Sequence, residues 1–136
     1  MKIFKCNSFC MLLIFLYMLV HGLCPLARGI HVHVINRLGK GNNMRVHCQS
    51  HDNDLGSSML QDGDEVKWSF QENIWDTTLF CCDVQWDTDS SIWYHFDAYD
   101  ADRDQNRCWS ECWWIIFKEG LLFGYDQASH RWECFP

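Results

Sequence analysis

The sequence predicts an all-β protein: an antiparallel β-sandwich of about seven to eight short strands, held by disulfides, with a small barrel as the other way to close the same strands. Three observations predict it. Apolar residues recur at period 2 rather than 3.6. Turn residues punctuate the chain at short, regular intervals. Cysteine and tryptophan are abundant, nine and eight in 136 residues.

The elements follow in order. In IHVHVIN, Val32 and Val34 alternate with His31 and His33. In NMRVHCQ, Met44, Val46 and Cys48 face one way and Arg45, His47 and Gln49 the other. The RLGKGN between them, with Gly39 and Gly41, reads as a hairpin loop. After the Asp62-Gly63 turn, EVKWSFQ points Val66, Trp68 and Phe70 inward. TLFCCDVQW does the same with Phe80, Cys82, Val84 and Trp86, which turns Cys81 outward. IWYHFDAY follows the turn DTDSS, CWWIIFK is a further strand, Glu119-Gly120 turns into LLFGYD, and HRWECF is the last strand. No stretch has a convincing helical period. The tryptophans supply core volume, each able to bury on the order of 200 Å².

The N-terminus has another character. Lys2 and Lys5 precede an unbroken apolar run, Phe9 to Val20, too short to span a bilayer and suited to a secretory signal. Ala27 and Gly29 suit signal peptidase, so residues 1–29 are expected to be a leader cut after Gly29, with a cut after Gly22 as the alternative, and residues 30–136 one domain. HGLCP, His21 to Pro25, is similar to the catalytic-histidine run of secreted plant ribonucleases. Either cut removes His21, and no second histidine motif follows. Cutting after Gly29 removes three cysteines and leaves six: Cys48, Cys81, Cys82, Cys108, Cys112 and Cys134. An even number in a secreted chain reads as a three-bridge framework, with two bridges and two free thiols as the competitor. The cut also removes Lys2, Lys5 and Arg28, leaving 8 basic against 18 acidic residues, a net charge of −10. That charge disfavours nucleic acid and anionic membrane surfaces and suits a basic partner surface or calcium. There is no Asn-x-Ser/Thr sequon.

VHCQSHDNDLGSSML, Val46 to Leu60, resembles the signature of the plant self-incompatibility S-protein homologues: His-Cys-Lys-Ser, an acidic run, then Asp-Leu-Gly. Four further blocks match in order: Trp68 to Trp86, FDAYDADRD from Phe96, Cys108 to Gly124, and WECFP. Gln49 stands where lysine is usual, Cys81 adds a cysteine beside Cys82, and the chain stops at Pro136 where relatives often continue with tryptophan. The resemblance implies a secreted, disulfide-bonded β-sandwich. By its analogy Cys48 pairs with Cys134 and Cys82 with Cys112, leaving Cys81 and Cys108 for a third bridge. It also implies a signalling ligand, since the poppy founders are stigma-secreted proteins read by a pollen membrane receptor.

Asp100, Asp102, Asp104 and Glu111 fall at positions 1, 3, 5 and 12 of an EF-hand-like loop, but Gln105 stands where the glycine is needed and no flanking helix is readable. A solvated, partner-gripping loop is the preferred reading. His31 and His33 share a strand face, with His47 on a possible neighbour, a pattern able to bind zinc or copper. Two surface histidines on an edge strand are preferred. Gly-x-Ser-x-Gly is absent, and oxidised cysteines leave no thiolate for a Cys-His pair. Trp93, Trp109 and Trp114 fall on the opposite parity to their apolar neighbours, so exposed indoles could stack on sugars, although Trp113 and Trp114 packing on both faces of a central strand is preferred.

The expectation is therefore a non-enzymatic, monomeric protein ligand without cofactor or metal. A cell-surface membrane protein receptor would recognise it, and it would not insert into membranes once the leader is gone. Specificity is expected in three loops, Asp52 to Ser58, Asp87 to Ser91 and Asp100 to Asn106, chiefly through Asp52, Asn53, Asp54, Asp87, Asp89, Asp100, Asp102, Arg103, Asp104 and Asn106. A carbohydrate-binding or defence protein using exposed tryptophans is the alternative.

Overall fold

The alternation seen in the sequence becomes nine strands in a computed structural model that describes residues 12–13, 15–17, 28–72, 75, 77–86 and 91–136. They are β1 (Gly29–Arg37), β2 (Met44–Ser50), β3 (Asp54–Leu60), β4 (Glu65–Gln71), β5 (Leu79–Trp86), β6 (Tyr94–Asp100), β7 (Glu111–Phe117), β8 (Leu122–Asp126) and β9 (Arg131–Phe135), with one helical turn, α1 (Ala101–Asp104), between β6 and β7. Five strands form one sheet in the order β4-β1-β7-β8-β9, and four form the other in the order β3-β2-β5-β6. Of the N-terminal apolar run only Leu12, Leu13 and residues 15–17 are described, and they are helical. His21 and the alternative cut after Gly22 lie outside the described residues, whereas the expected cut after Gly29 falls within β1, whose first residue pairs with Gln71. Among the described residues no helix is long and apolar enough to cross a membrane.

The core takes the inward residues of both sheets. Ile30, Val32 and Val34 of β1, Met44, Val46 and Cys48 of β2, Phe80, Cys82 and Val84 of β5, and Cys112, Trp114 and Ile116 of β7 are all buried. Burying them together is the main stabilising term, about 25 cal/mol per Å² of apolar surface.

Three expectations change. Residues 38–43 form a bridge between the sheets and not a hairpin loop, because β1 is flanked on both sides by β4 and β7 and β2 by β3 and β5. Gly39 and Gly41 allow the crossing with φ of 99° and 85°, a region costly for other residues. Buried Asn36 anchors it by donating to the carbonyls of Asn42 (3.1 Å) and Leu60 (2.9 Å) and accepting from Leu38 N–H (2.8 Å). Second, the β1–β7 pair is parallel, while every other pair is antiparallel. Third, β3 occupies most of what was expected to be the Asp52 to Ser58 loop. It is an edge strand in which only Leu60 is buried, so it carries no apolar alternation and pairs through its backbone.

Trp114 is completely buried, contrary to the exposed-indole alternative, because even positions of central β7 face the core while Trp113 faces outward. Gly124 on β8 is the close-approach point above it. A Cβ there would lie 2.8 Å from Arg107 Nη1, 2.8 Å from Phe135 Cε2 and 2.9 Å from Trp114 Cζ3. Gly124→Ala is therefore expected to cost about 1–3 kcal/mol by overpacking and to lower the thermal midpoint. Unchanged melting of the oxidised variant would refute the tight fit.

Candidate recognition surface

The bridges come first because they set which elements are fixed. Cys48 on β2 and Cys82 on β5 are directly opposite in register, both face the core, and are bonded with Cα atoms 4.1 Å apart. Cys108 follows α1 and is bonded to Cys112 at the start of β7, Cα atoms 5.1 Å apart. The pairings implied by resemblance, Cys48 with Cys134, Cys82 with Cys112 and Cys81 with Cys108, are thus replaced. The reason is placement: Cys134 sits on exposed β9, opposite Phe123 in the other sheet, and cannot reach the inward face of β2. Cys81 and Cys134 are free thiols, which is the two-bridge competitor. Cys81 does point outward, its Sγ 3.7 Å from the Gln49 carbonyl. Burial and the carboxylates of Asp83 and Asp97 push its thiol pKa up.

Strand directions place the loops. The β2–β3 turn, the start of β5, α1 and the β8–β9 turn share one end of the sandwich, tied together by Ala101 N–H to the Thr78 carbonyl (3.1 Å) and Gln127 N–H to the Arg107 carbonyl (2.9 Å). Asp87 and Asp89 lie outside the described residues, and β5 ends and β6 begins at the opposite end. Of the three expected loops, the two that are described share this end.

Within that end, the acidic residues have different fates. Asp52 and Asn53 are exposed in the turn, which closes through Ser50 N–H to the Asn53 carbonyl (2.7 Å) and Asn53 N–H to Ser50 Oγ (3.1 Å). Asp54 is structural: Oδ1 accepts from Gly56 N–H (2.8 Å) and from His47 Nε2 (2.6 Å), and those bonds hold its carboxyl below the usual range. Asp100 is the N-cap of α1, accepting from Asp102 N–H at 3.0 Å. Asp104 is fully buried and accepts from Arg103 Nη2 (2.6 Å), Arg107 Nε (2.8 Å) and Asp100 N–H (2.9 Å). Burial opposes the Arg103 charge, but Asp104 first, then Asp100 and Asp97, outweigh it and raise the Arg103 pKa. Of the expected recognition residues, Asp52, Asn53, Asp102 and Asn106 remain as exposed side chains free of such a structural role, beside the exposed indole of Trp109. A shallow depression of about 190 Å³ between the β2–β3 turn and residues 77–80 is lined in part by Phe70 and Phe80.

This geometry also breaks up the two metal patterns. The EF-hand-like positions do not converge, since Asp100 caps, Asp104 binds arginines and Glu111 binds His33. His33 is not on an edge: β1 is central, and the buried imidazole lies between Glu65 Oε2 (3.1 Å) and Glu111 Oε2 (2.7 Å) while stacking on Trp113 at 3.7 Å. His31 is exposed, and His47 belongs to the other sheet. Among the described residues no group of three or more ligating side chains is placed to hold a metal.

One residue the sequence reading missed is Arg28. Its guanidinium donates to the carbonyls of Gln105 (3.0 Å), Cys108 and Trp109, pinning the segment after α1. Its own carbonyl accepts from Glu72 N–H (3.0 Å). Nothing local marks it, because its partners lie far along the chain.

Comparison with known proteins agrees with this architecture. Residues 31–136 match the family model described as plant self-incompatibility protein S1. The chain is 39% identical over 107 residues to Self-incompatibility protein S1 of Papaver rhoeas, covering 78% of this chain and 75% of that one. It is 37% identical over 115 residues to S-protein homolog 5 of Arabidopsis thaliana, covering 85% of this chain and 83% of the relative. A solved structure, described as that of an SPH (Self-Incompatibility Protein Homologue) protein from a widespread family of small, highly stable, secreted plant proteins, superposes with a TM-score of 0.59 at 16% identity, over 74% of this chain and 87% of that one. That likeness supports the sandwich fold, and the sequence matches settle the lineage: the chain belongs to the plant self-incompatibility protein S1 family.

Proposed function

We propose that this protein is a secreted, non-enzymatic ligand recognised by a cell-surface receptor, in pollen rejection or related cell–cell signalling. Family membership supports it. The observation that carries it is the loop end: Asp52, Asn53, Asp102 and Asn106 stand exposed on a frame fixed by Cys48–Cys82, Cys108–Cys112 and the Asp104–arginine cluster. A rigid frame presenting exposed polar side chains is how a small fold grips a partner at low entropic cost. The acidic balance suits a basic receptor surface. The leader belongs to this proposal, and the Arg28 bonds favour the cut after Gly22, which keeps Arg28 and also Cys24 in the secreted chain, leaving seven cysteines and 9 basic against 18 acidic residues.

The test is binding of labelled, oxidised Leu23–Pro136 to pollen and vegetative plasma membranes. Saturable binding is expected, reduced roughly tenfold or more by the combined Asp52→Asn, Asp102→Asn variant with its melting unchanged. Absence of saturable, protein-dependent binding on every membrane would sink the ligand reading. A glycan-binding role predicts instead that Trp109→Ala, removing an indole 56% exposed, abolishes binding to a glycan array.

A further inference from the structure

The segment between α1 and β7 has no ladder of its own. Residues 105–110 belong to no strand or helix, yet they carry Asn106 and the exposed Trp109 indole to the loop end. Side chains from distant elements supply the partners that its backbone groups need. Gln127 Oε1 accepts from the N–H groups of Trp109 (2.6 Å), Ser110 (3.3 Å) and Glu111 (3.4 Å). The carbonyls of Gln105, Cys108 and Trp109 turn instead to one guanidinium, that of Arg28, in which Nη1, Nη2 and Nε take one carbonyl each.

Arg28 is itself held. Its carbonyl accepts from Glu72 N–H (3.0 Å), one step beyond the Gly29–Gln71 pair, so β4 fixes the backbone from which the side chain reaches. The three acceptors bracket the recognition side chains. The Gln105 carbonyl immediately precedes Asn106, and the Cys108 and Trp109 carbonyls lie on either side of the indole. The Cys108–Cys112 bridge fixes only the far part of this stretch. Ordering a loop in advance removes an entropic cost from binding. A planar fork with several donors can serve three carbonyls at once, which the compact ammonium of lysine does not reproduce. We infer that Arg28 is the positioning residue of the recognition end, so that the place of the N-terminal cut sets how tightly this protein binds. A cut after Gly22 leaves the segment ordered in advance; a cut after Gly29 leaves a folded chain that holds it loosely. The fold survives the later cut because β1 keeps β4 and β7 as partners and His31 N–H keeps the Ser110 carbonyl (2.7 Å). The inference rests on the ligand reading.

Hydrogen exchange and membrane binding of oxidised Leu23–Pro136 test it together. In Arg28→Ala, amide exchange at Cys108 and Trp109 should quicken by roughly tenfold or more, with Val34 and Trp114 unchanged. Saturable binding to pollen and vegetative plasma membranes should weaken by roughly tenfold or more, while the thermal midpoint falls by no more than about 5 °C. Arg28→Lys, which keeps the charge without the fork, should resemble Arg28→Ala in both readouts. Ile30–Pro136 should do so too, with Arg28→Ala deciding alone where the shorter chain fails to fold. Wild-type exchange or wild-type binding in Arg28→Ala would overturn the inference and leave the ligand reading standing. Full binding by Arg28→Lys would do the same, since charge and not the fork would then matter. A collapsed midpoint in Arg28→Ala would make Arg28 part of the frame and equally overturn it. Absence of saturable binding by the wild-type chain would overturn the ligand reading and this inference with it.

Discussion

Asp104→Ala is expected to destabilise the domain by about 3–5 kcal/mol, the cost of leaving a buried charge without its partner. Asp104 is fully buried, and Arg107 is only 6% exposed. Without the carboxylate, Arg107 would keep one bond, from Nη1 to the Tyr125 carbonyl (2.9 Å), and its Nη2 already has none. The Asp100 N–H would lose its acceptor, and the side chain of Arg103 its two bonds to the carboxylate. Against a typical total of about 5–15 kcal/mol, that loss is large. Asp104→Asn, which keeps an acceptor but not the charge, should fall between. Asp102→Ala, two residues away and exposed, should stay within about 0.5 kcal/mol. Urea unfolding of the three oxidised variants decides it: an Asp104→Ala midpoint as high as that of Asp102→Ala would show that the arginines do not depend on this carboxylate. The same series separates a framework residue from a recognition residue, since Asp104 and Asp102 were both expected to contact a receptor.

Those two aspartates show where the sequence stops being informative. Asp100, Asp102 and Asp104 look equivalent in the chain, spaced two apart in an acidic run. One helical turn gives them three fates: a cap, an exposed side chain and a buried ion-pair centre. The decision comes from Arg107 lying under Gly124, between Asp104 and the Trp114 ring, a tertiary fact with no local signature.

The same division runs through the fold. Period-2 alternation correctly marked the inward residues of β1, β2, β4 and β5, because pleating alone sets that face. Alternation does not say which sheet a strand joins. β1 and β2 both bury one face, yet they bury it from opposite sides of the core, and the parallel partner of His33 is Trp113, far along the chain. That pairing turned two expected surface histidines into one exposed and one buried between carboxylates. β3 escaped notice because an exposed edge strand needs no apolar pattern. The cysteines follow the same rule: parity correctly turned Cys82 in and Cys81 out, while the partner of Cys48 depended on the β2–β5 register.

Trp114→Ala should be at least as damaging, about 3–5 kcal/mol for an emptied aromatic site in the core. The indole lies between the Phe96 and Phe135 rings, at 5.6 and 4.8 Å, and its Nε1–H donates to the Ala98 carbonyl at 2.7 Å, linking the two sheets. Losing that donor adds the cost of an unsatisfied buried carbonyl, about 1–3 kcal/mol. Arg107 rests on the ring face, its guanidinium carbon 4.3 Å from the centroid, so the variant also removes the surface that shelters this cation. Trp114→Phe keeps most of the ring contact and should recover more than half of the loss. Because Trp114 and Asp104 both act on Arg107, their effects should not add: the double variant should lose less than the sum of the singles by about 0.5–3 kcal/mol. Additive losses in a urea double-mutant cycle would show that ring and carboxylate hold the core independently. Wild-type stability in Trp114→Ala would contradict a buried indole altogether and return this tryptophan to the exposed, sugar-stacking role.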